Sequence, residues 1–274
     1  MKKVFLYVAI VLLILIGTGV FVVVKSFVHV QLHHGAVMHV LPAFTNNQEH
    51  GAVIICPGGG YGYLAKKHEG YWWFPFFYMR GYTVALLEYR MPEKDCRIPM
   101  TDATEAIKTM RRHAKEWHLD AHHVGIVGFS AGGHLASTML VTDDDDARPD
   151  FGILFYPVIS MKKELTHKGS HDRLLGKDAS EQLENQFSNE LHVSEKTPPA
   201  YIALSNDDHT VNPQNSICFR DAMRAKSRPV TLHVYPTGDH GWGYNLKFDY
   251  HSQMLDDLSE WLDSLQKENN KEKK

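Results

Sequence analysis

The chain has 274 residues, 43% of them hydrophobic and 22% charged, with a formal net charge of −3. This is the length and composition of a globular domain with one sizeable core, and the slightly acidic balance removes the electrostatic case for nucleic-acid binding. The three cysteines, Cys56, Cys96 and Cys218, are an odd set without a short motif, which speaks against a disulfide framework and leaves at least one thiol free. The 18 histidines are scattered, and the adjacent pairs His33-His34 and His122-His123 fall in loop-like sequence. No HExxH or paired Cys/His spacing occurs, so no metal site is expected.

The N-terminus reads apart from the rest. "MKK" is followed by 21 uncharged residues, 4–24, and then Lys25. A bilayer core needs about 20 apolar residues, whereas a secretory signal has an apolar stretch of about 7–15 and a small-residue cleavage site. Gly17, Thr18 and Gly19 lie inside the run, not after it, and no A-x-A-like site follows. Lys2 and Lys3 favour a cytoplasmic N-terminus. The expectation is an uncleaved, single-pass transmembrane helix within residues 1–27, holding the domain at the cell membrane on its extracytoplasmic side. A cleaved signal and a secreted protein is the alternative, and a buried core helix a third reading.

Beyond a short spacer, two periods alternate. Strand-like runs are residues 36–41, 52–56, 82–89, 124–129, 151–156, 200–205 and 230–235. Several are continuously apolar, as strands covered on both faces are. Between them, residues 101–117 carry Ala103, Ala106, Ile107, Met110, Ala114 and Trp117 at three- and four-residue spacing, an amphipathic helix. Residues 213–226 and 251–266 read likewise. The alternation predicts an α/β domain over residues 28–266 with a mostly parallel sheet flanked by helices. Residues 160–198 are polar and aperiodic, a lid-like insert or a surface excursion with short helices. "DDDD" at 143–146 is expected to be a solvated loop, with a calcium site as the alternative. The tail 267–274 is expected to be disordered. No internal repeat is present.

The stretch "VGIVGFSAGGHLAS", 124–137, puts G-x-S-x-G at 128–132 between a strand-like and a helix-like segment. That is the context of a nucleophile elbow, where the tight turn needs small residues two before and two after the serine. A serine hydroxyl is a weak nucleophile at neutral pH and needs a base. In such a topology an acid and then a histidine follow on loops after later strands. Asp207 and Asp208 follow the strand ending at Ser205, and His240 follows the strand of 230–235. This order points to Ser130, Asp208 and His240. The Ala131 amide, just past the nucleophile, and the glycines of "CPGGGYGY" at 56–63, Gly59 and Gly60, are the candidate oxyanion donors. A phosphate loop is the rival for these glycines, but G-x-x-x-x-G-K-[ST] is absent.

"PGGGY", "GFSAGGHLAS", "TPPAYIALSNDDHTVNPQNS" and "GDHGWG" together resemble the α/β-hydrolase superfamily. More narrowly, over residues 36–265, they resemble its bacterial acetyl-xylan/feruloyl-esterase-like branch, near the hormone-sensitive-lipase-like esterases. The resemblance implies Ser130 as nucleophile, His240 as base and Asp208 as its orienter, the acid standing three residues before Val211. One departure is clear: many relatives have His-Gly-Gly-Gly where this chain has Pro57-Gly58-Gly59-Gly60. The loop-bracing contacts of that histidine are missing, and the placement of the second oxyanion donor is left open.

The expected activity is hydrolysis of short-chain acyl esters, acetyl or feruloyl, of carbohydrates or small alcohols through an acyl-enzyme, without a cofactor. A serine peptidase or amidase is the enzymatic alternative, and an inactive hydrolase fold used as a binding module the non-enzymatic one. Tyr61 and Trp242 are the candidate substrate contacts, with Tyr63, Tyr71, Trp72 and Trp73 as further aromatics that border the site or belong to the core. Nothing in the sequence specifies the oligomeric state.

Overall fold

Each of the seven apolar runs becomes a strand, and all seven join one sheet. The computed structural model describes residues 6–16, 19–44, 50–93 and 95–272. In chain order the strands are β1 (Leu6–Ile16), β2 (Gly19–Gln31), β3 (Val37–Leu41), β4 (Ala52–Cys56), β5 (Thr83–Glu88), β6 (Val124–Phe129), β7 (Phe151–Phe155), β8 (Ala200–Ser205) and β9 (Val230–Tyr235). The helices are α1 (Phe74–Tyr78), α2 (Arg97–Arg112), α3 (Ser130–Leu140), α4 (Lys168–Leu174), α5 (Glu181–Gln186), α6 (Gln214–Ala225) and α7 (His251–Glu272). The sheet order is β1-β2-β3-β5-β4-β6-β7-β8-β9. From β5 to β9 every pairing is parallel, and β1, β2 and β3 continue the sheet antiparallel.

Alternation along the buried strands divides the core in two. Ile54, Ile126, Leu154 and Ile202 face one layer with Met110 of α2, Leu135 of α3 and Phe219 of α6. Val53, Ile55, Val127, Phe129 and Phe155 face the other, with Phe77 of α1 and Met254, Leu258 and Leu262 of α7. Both faces are covered, so the central strands need no polar side, and β4, β6, β7 and β8 are buried throughout. In a parallel sheet all the loops at the carboxyl ends of the strands open on one edge, where such folds bind ligands.

The expected N-terminal helix is not found among the described residues. Residues 6–16 and 19–31 are not helical but pair antiparallel, from Leu6 with His29 to Ile16 with Gly19, and β2 pairs on with β3 from Val28–Val40 to Gln31–Val37. The run is rich in valine and isoleucine, whose branched side chains suit a strand better than a helix, and it lies next to a free sheet edge. Among the described residues no helix is long and apolar enough to cross a membrane. Residues 1–5, with Lys2 and Lys3, and residues 17–18 lie outside the described residues.

Two domain boundaries move as well. Phe27, expected in the anchor, packs its ring on Tyr71 and Phe74 at centroid distances of 6.5 and 5.4 Å. The tail expected to be disordered instead continues α7 through Glu272, because Gln, Lys and Glu are good helix formers; residues 273–274 lie outside the description. The aperiodic stretch 160–198 is built of α4, α5 and a 3-10 turn at Asn189–Leu191. The aspartates of 143–146 ion-pair instead of gathering round a cation, Asp144 with Lys108 and Asp145 with Arg148 and Lys196. No acidic, histidine or cysteine group among the described residues has a metal-holding arrangement. All three cysteines are free.

Candidate active site

β6 runs into α3 with no connecting residue, and Ser130 is the first residue of the helix. Its φ is +50°, a left-handed conformation that costs a non-glycine residue about 1–3 kcal/mol. The turn is possible only with glycines around it. A Cβ at Gly128 would lie 2.4 Å from the Gly132 carbonyl oxygen, and one at Gly132 would lie 2.1 Å from that of Cys56. The Ser130 side chain thus stands at the carboxyl edge of the sheet, with the α3 N-terminus and its amides beneath it.

The loops after β8 and β9 bring the two expected partners to it. His240 Nε2 is 2.9 Å from Ser130 Oγ, and His240 Nδ1 is 2.7 Å from Asp208 Oδ2. The Asp208 side chain is only 1% exposed, and its other oxygen accepts from the amides of Thr210 (2.9 Å) and Val211 (2.8 Å). Those bonds fix the carboxylate so that one oxygen alone meets the imidazole. Asp207 points elsewhere: its Oδ1 accepts from the Asp239 amide at 2.9 Å, and Asp239 Oδ1 accepts from the His209 amide at 3.0 Å. The two neighbouring aspartates therefore have separate tasks, one at the imidazole and one tying the β8 loop to the β9 loop. The bond from the His209 amide holds the Asp239 carboxyl below the usual range.

The glycine loop lies beside Ser130. Gly59 and Gly60 have φ of +127° and +60°, conformations that favour glycine. Gly60, Gly59 and Ser130 line one cleft of about 380 Å³ together with His167 and Arg173 of the insert and with His240. The Gly58 amide donates to Glu69 Oε2 at 2.9 Å, so Gly59, Gly60 and Ala131 remain the candidate donors. Burial lowers the His167 imidazole, with His240 and Arg173 adding to the effect. The Arg173 guanidinium donates to the Gly60 carbonyl at 3.0 Å, so α4 is fastened over the glycine loop.

Both proposed substrate contacts are corrected. Tyr61 is 1% exposed, and its hydroxyl lies 2.8 Å from His134 Nδ1 below the loop. Trp242 is 4% exposed; it stacks on Phe248 at 4.4 Å and donates its indole N–H to Ser205 Oγ at 3.0 Å. Each aromatic ring fills space under a loop instead of facing the cleft. Trp73 is likewise core, packed on Phe155 at 4.9 Å and Phe129 at 5.7 Å. Tyr71 is half-buried against Phe27 and Phe74. Tyr63 lines the cleft and is exposed, and Trp72 is exposed beside His68. Glu69, His167 and Arg173 line the cleft and Tyr156 is buried against His240; the sequence reading passes over all four, and only the insert as a whole carried a signal for His167 and Arg173.

A family model described as BD-FAE matches residues 40–223. An acetylxylan esterase of Xylanibacter ruminicola is 41% identical over 218 residues, which cover 78% of this chain and 45% of that protein. Endo-1,4-beta-xylanase B of Butyrivibrio fibrisolvens is 33% identical over 204 residues, covering 69% of this chain and 32% of its own. The chain spans less than half the length of these relatives. Among solved structures, the acetyl ester-xyloside bifunctional hydrolase from Caldicellulosiruptor lactoaceticus has a TM-score of 0.77 and 33% identity, over 84% of this chain and 88% of that one.

Proposed function

Because the chain belongs to the BD-FAE family, with the α/β-hydrolase fold of its esterase neighbours, we propose that it is a serine esterase that removes short acyl groups, acetyl first, from carbohydrate esters. The observation that carries this reading is the line of contacts from Ser130 Oγ through His240 to Asp208 at the mouth of a small cleft. In the reaction His240 Nε2 takes the Ser130 proton as Oγ bonds to the acyl carbon. The carbonyl oxygen takes up the electron pair and is met by amides of Ala131 and of Gly59 or Gly60. The tetrahedral intermediate collapses, His240 gives its proton to the leaving sugar oxygen, and an acyl-serine remains. Water, deprotonated by His240, then releases the acid and restores Ser130. Asp208 holds the imidazole in one tautomer and stabilises its protonated form. None of these steps calls for a cofactor.

The size of the cleft supports a short acyl group. A cleft of about 380 Å³ stands at the lower end of ligand sites, about 300–1,000 Å³, and it must hold sugar atoms as well as the acyl group. The acetylxylan esterase relative supports acetyl. The test is a chain-length series of aryl esters beside acetylated xylan, feruloyl esters and aminoacyl anilides. The expected kcat/KM maximum lies between acetyl and butyryl, with acetate released from the polymer. A maximum at about ten carbons or more, or faster anilide cleavage, rejects the assignment in favour of a lipase-like or peptidase activity. No labelling by a fluorophosphonate would return the fold to a binding role.

The proposed setting is extracytoplasmic, at a membrane, where a polymer ester is met. It rests on the uncharged run 4–24 behind two lysines and on the sequence alone, since the described part of that run is extended.

A further inference from the structure

The Pro57 carbonyl accepts from the Tyr89 hydroxyl at 2.7 Å. Beside it stands a carboxylate that no step of the reaction uses. Glu69 is 3% exposed, an expensive location for a charge unless its oxygens are met by donors. Oε2 accepts from the Gly58 amide at 2.9 Å, and Oε1 accepts from the Tyr156 hydroxyl at 2.9 Å. The Tyr156 oxygen in turn accepts from the Gly243 amide at 2.9 Å, three residues past His240, and the Tyr156 ring packs edge-on against the imidazole at 4.7 Å. The neighbouring His68 carbonyl accepts from the Tyr244 amide at 2.8 Å.

The approach is close enough to set the residue type opposite. A Cβ at Gly58 would lie 2.7 Å from Glu69 Oε2 and 2.9 Å from Ser130 Cβ. Gly58 is thus wedged between the carboxylate and the nucleophile, and any shift of Glu69 moves the loop over Ser130. Burial raises the Glu69 carboxyl, against the opposing pull of Tyr156, His68, the Gly58 amide and His240.

We propose that Glu69 is a positioning residue of this active site: one buried carboxylate holds the Gly58–Gly60 loop by the Gly58 amide and, through Tyr156, the loop that carries His240. It couples the oxyanion side of the site to the base. The inference rests on the ester-hydrolase reading. Its effect belongs to the tetrahedral state, in which the loop amides meet a developing charge, and not to the bound ester.

The test uses the full chain with Glu69→Gln, Glu69→Ala and Tyr156→Phe, an aryl acetate, an acetyl-sized trifluoromethyl ketone as tetrahedral analogue, and thermal unfolding. Glu69→Gln should unfold within a few degrees of wild type. Its kcat should fall about 10- to 100-fold, less than removal of an oxyanion donor outright, with KM changed less than about threefold. The ketone Ki should rise by the factor that kcat loses. Tyr156→Phe should shift kcat and Ki the same way, and Glu69→Ala should exceed both. An unaltered kcat in Glu69→Gln, or a loss of kcat that Ki does not mirror, overturns the proposal. If Glu69→Gln fails to fold, the same two readouts on Tyr156→Phe decide it. A wild-type protein that hydrolyses no ester and takes no fluorophosphonate rejects the esterase reading and this inference with it; an active wild type with indifferent variants rejects this inference alone.

Discussion

Asp207 and Asp208 are chemically the same and adjacent, so the fold alone assigns their roles. Asp208 faces His240 with one oxygen and two amides with the other, whereas Asp207 holds the Asp239 amide. Asp208→Asn should lower kcat by about 10⁴-fold, as loss of an orienting carboxylate does. Asp207→Asn should cost less than about tenfold, since an amide oxygen still accepts one neutral hydrogen bond. Ser130→Ala should remove at least as much activity as Asp208→Asn and abolish fluorophosphonate labelling without loss of folding. Steady-state kinetics on the three variants check the ranking, and a larger loss at Asp207 would mean that the two carboxylates exchange places. That Ser130, Asp208 and His240 meet was legible because each stands on the turn or loop just past an apolar strand. Tyr61 and Trp242 were misread because closeness to a motif in sequence does not say on which side of a loop a ring falls. Glu69 and Tyr156 had no sequence signal: they lie 87 residues apart and are joined only by the fold.

Among the elements, α3 does more than present Ser130. His134, buried in its second turn, contacts the Tyr61 hydroxyl with Nδ1 and the Phe187 carbonyl with Nε2, both at 2.8 Å. It therefore ties the glycine loop and the insert to one helix. Burial lowers this imidazole to about 4, against about 6.5 in an unfolded chain. Between those values the unfolded chain binds a proton that the folded chain refuses. The folded state should lose stability as pH falls from about 6.5 to 4, by about 3 kcal/mol at 1.36 kcal/mol per pKa unit; above pH 6.5 the contribution is complete. His134→Gln can keep both contacts without titrating, so urea unfolding at pH 7 and pH 4.5 should show a smaller pH dependence in the variant. Equal dependence would remove His134 as the cause. At this scale the long elements were legible and the short ones were not. All seven apolar runs are strands, whereas α4 and α5, at seven and six residues, are too short to display a helical period. α2 starts at Arg97, four residues before its expected start at 101, because Pro99 is tolerated in a first helical turn.

For the whole molecule, the question is where the catalytic unit begins. A 21-residue apolar run satisfies the length of a membrane helix, and length alone does not separate that from a pair of strands whose valines and isoleucines favour extended backbone. The sheet supplies a sharper boundary. β2 contacts β3 only through residues 28–31, with Val28 and Val30 buried in the core, and Phe27 covers Tyr71 and Phe74. Among the described residues nothing before Val28 is paired with β3, and the site lies among the loops after β4, β6, β8 and β9, on elements to which β1 does not pair. Deletion of residues 1–26 should therefore give a soluble protein with wild-type kcat/KM on an aryl acetate. Deletion of residues 1–31 also removes the partly buried Phe27 and the buried Val28 and Val30, which at about 1.5–3 kcal/mol for each fully buried side chain is a large share of a domain's net stability, about 5–15 kcal/mol. It should lower the unfolding temperature markedly or prevent folding. The full chain should sediment with membranes and keep its N-terminal lysines, as N-terminal sequencing would show. Full-length protein in the soluble fraction would leave residues 6–26 as sheet alone. Loss of activity in the 1–26 deletion would mean that the hairpin supports the catalytic domain.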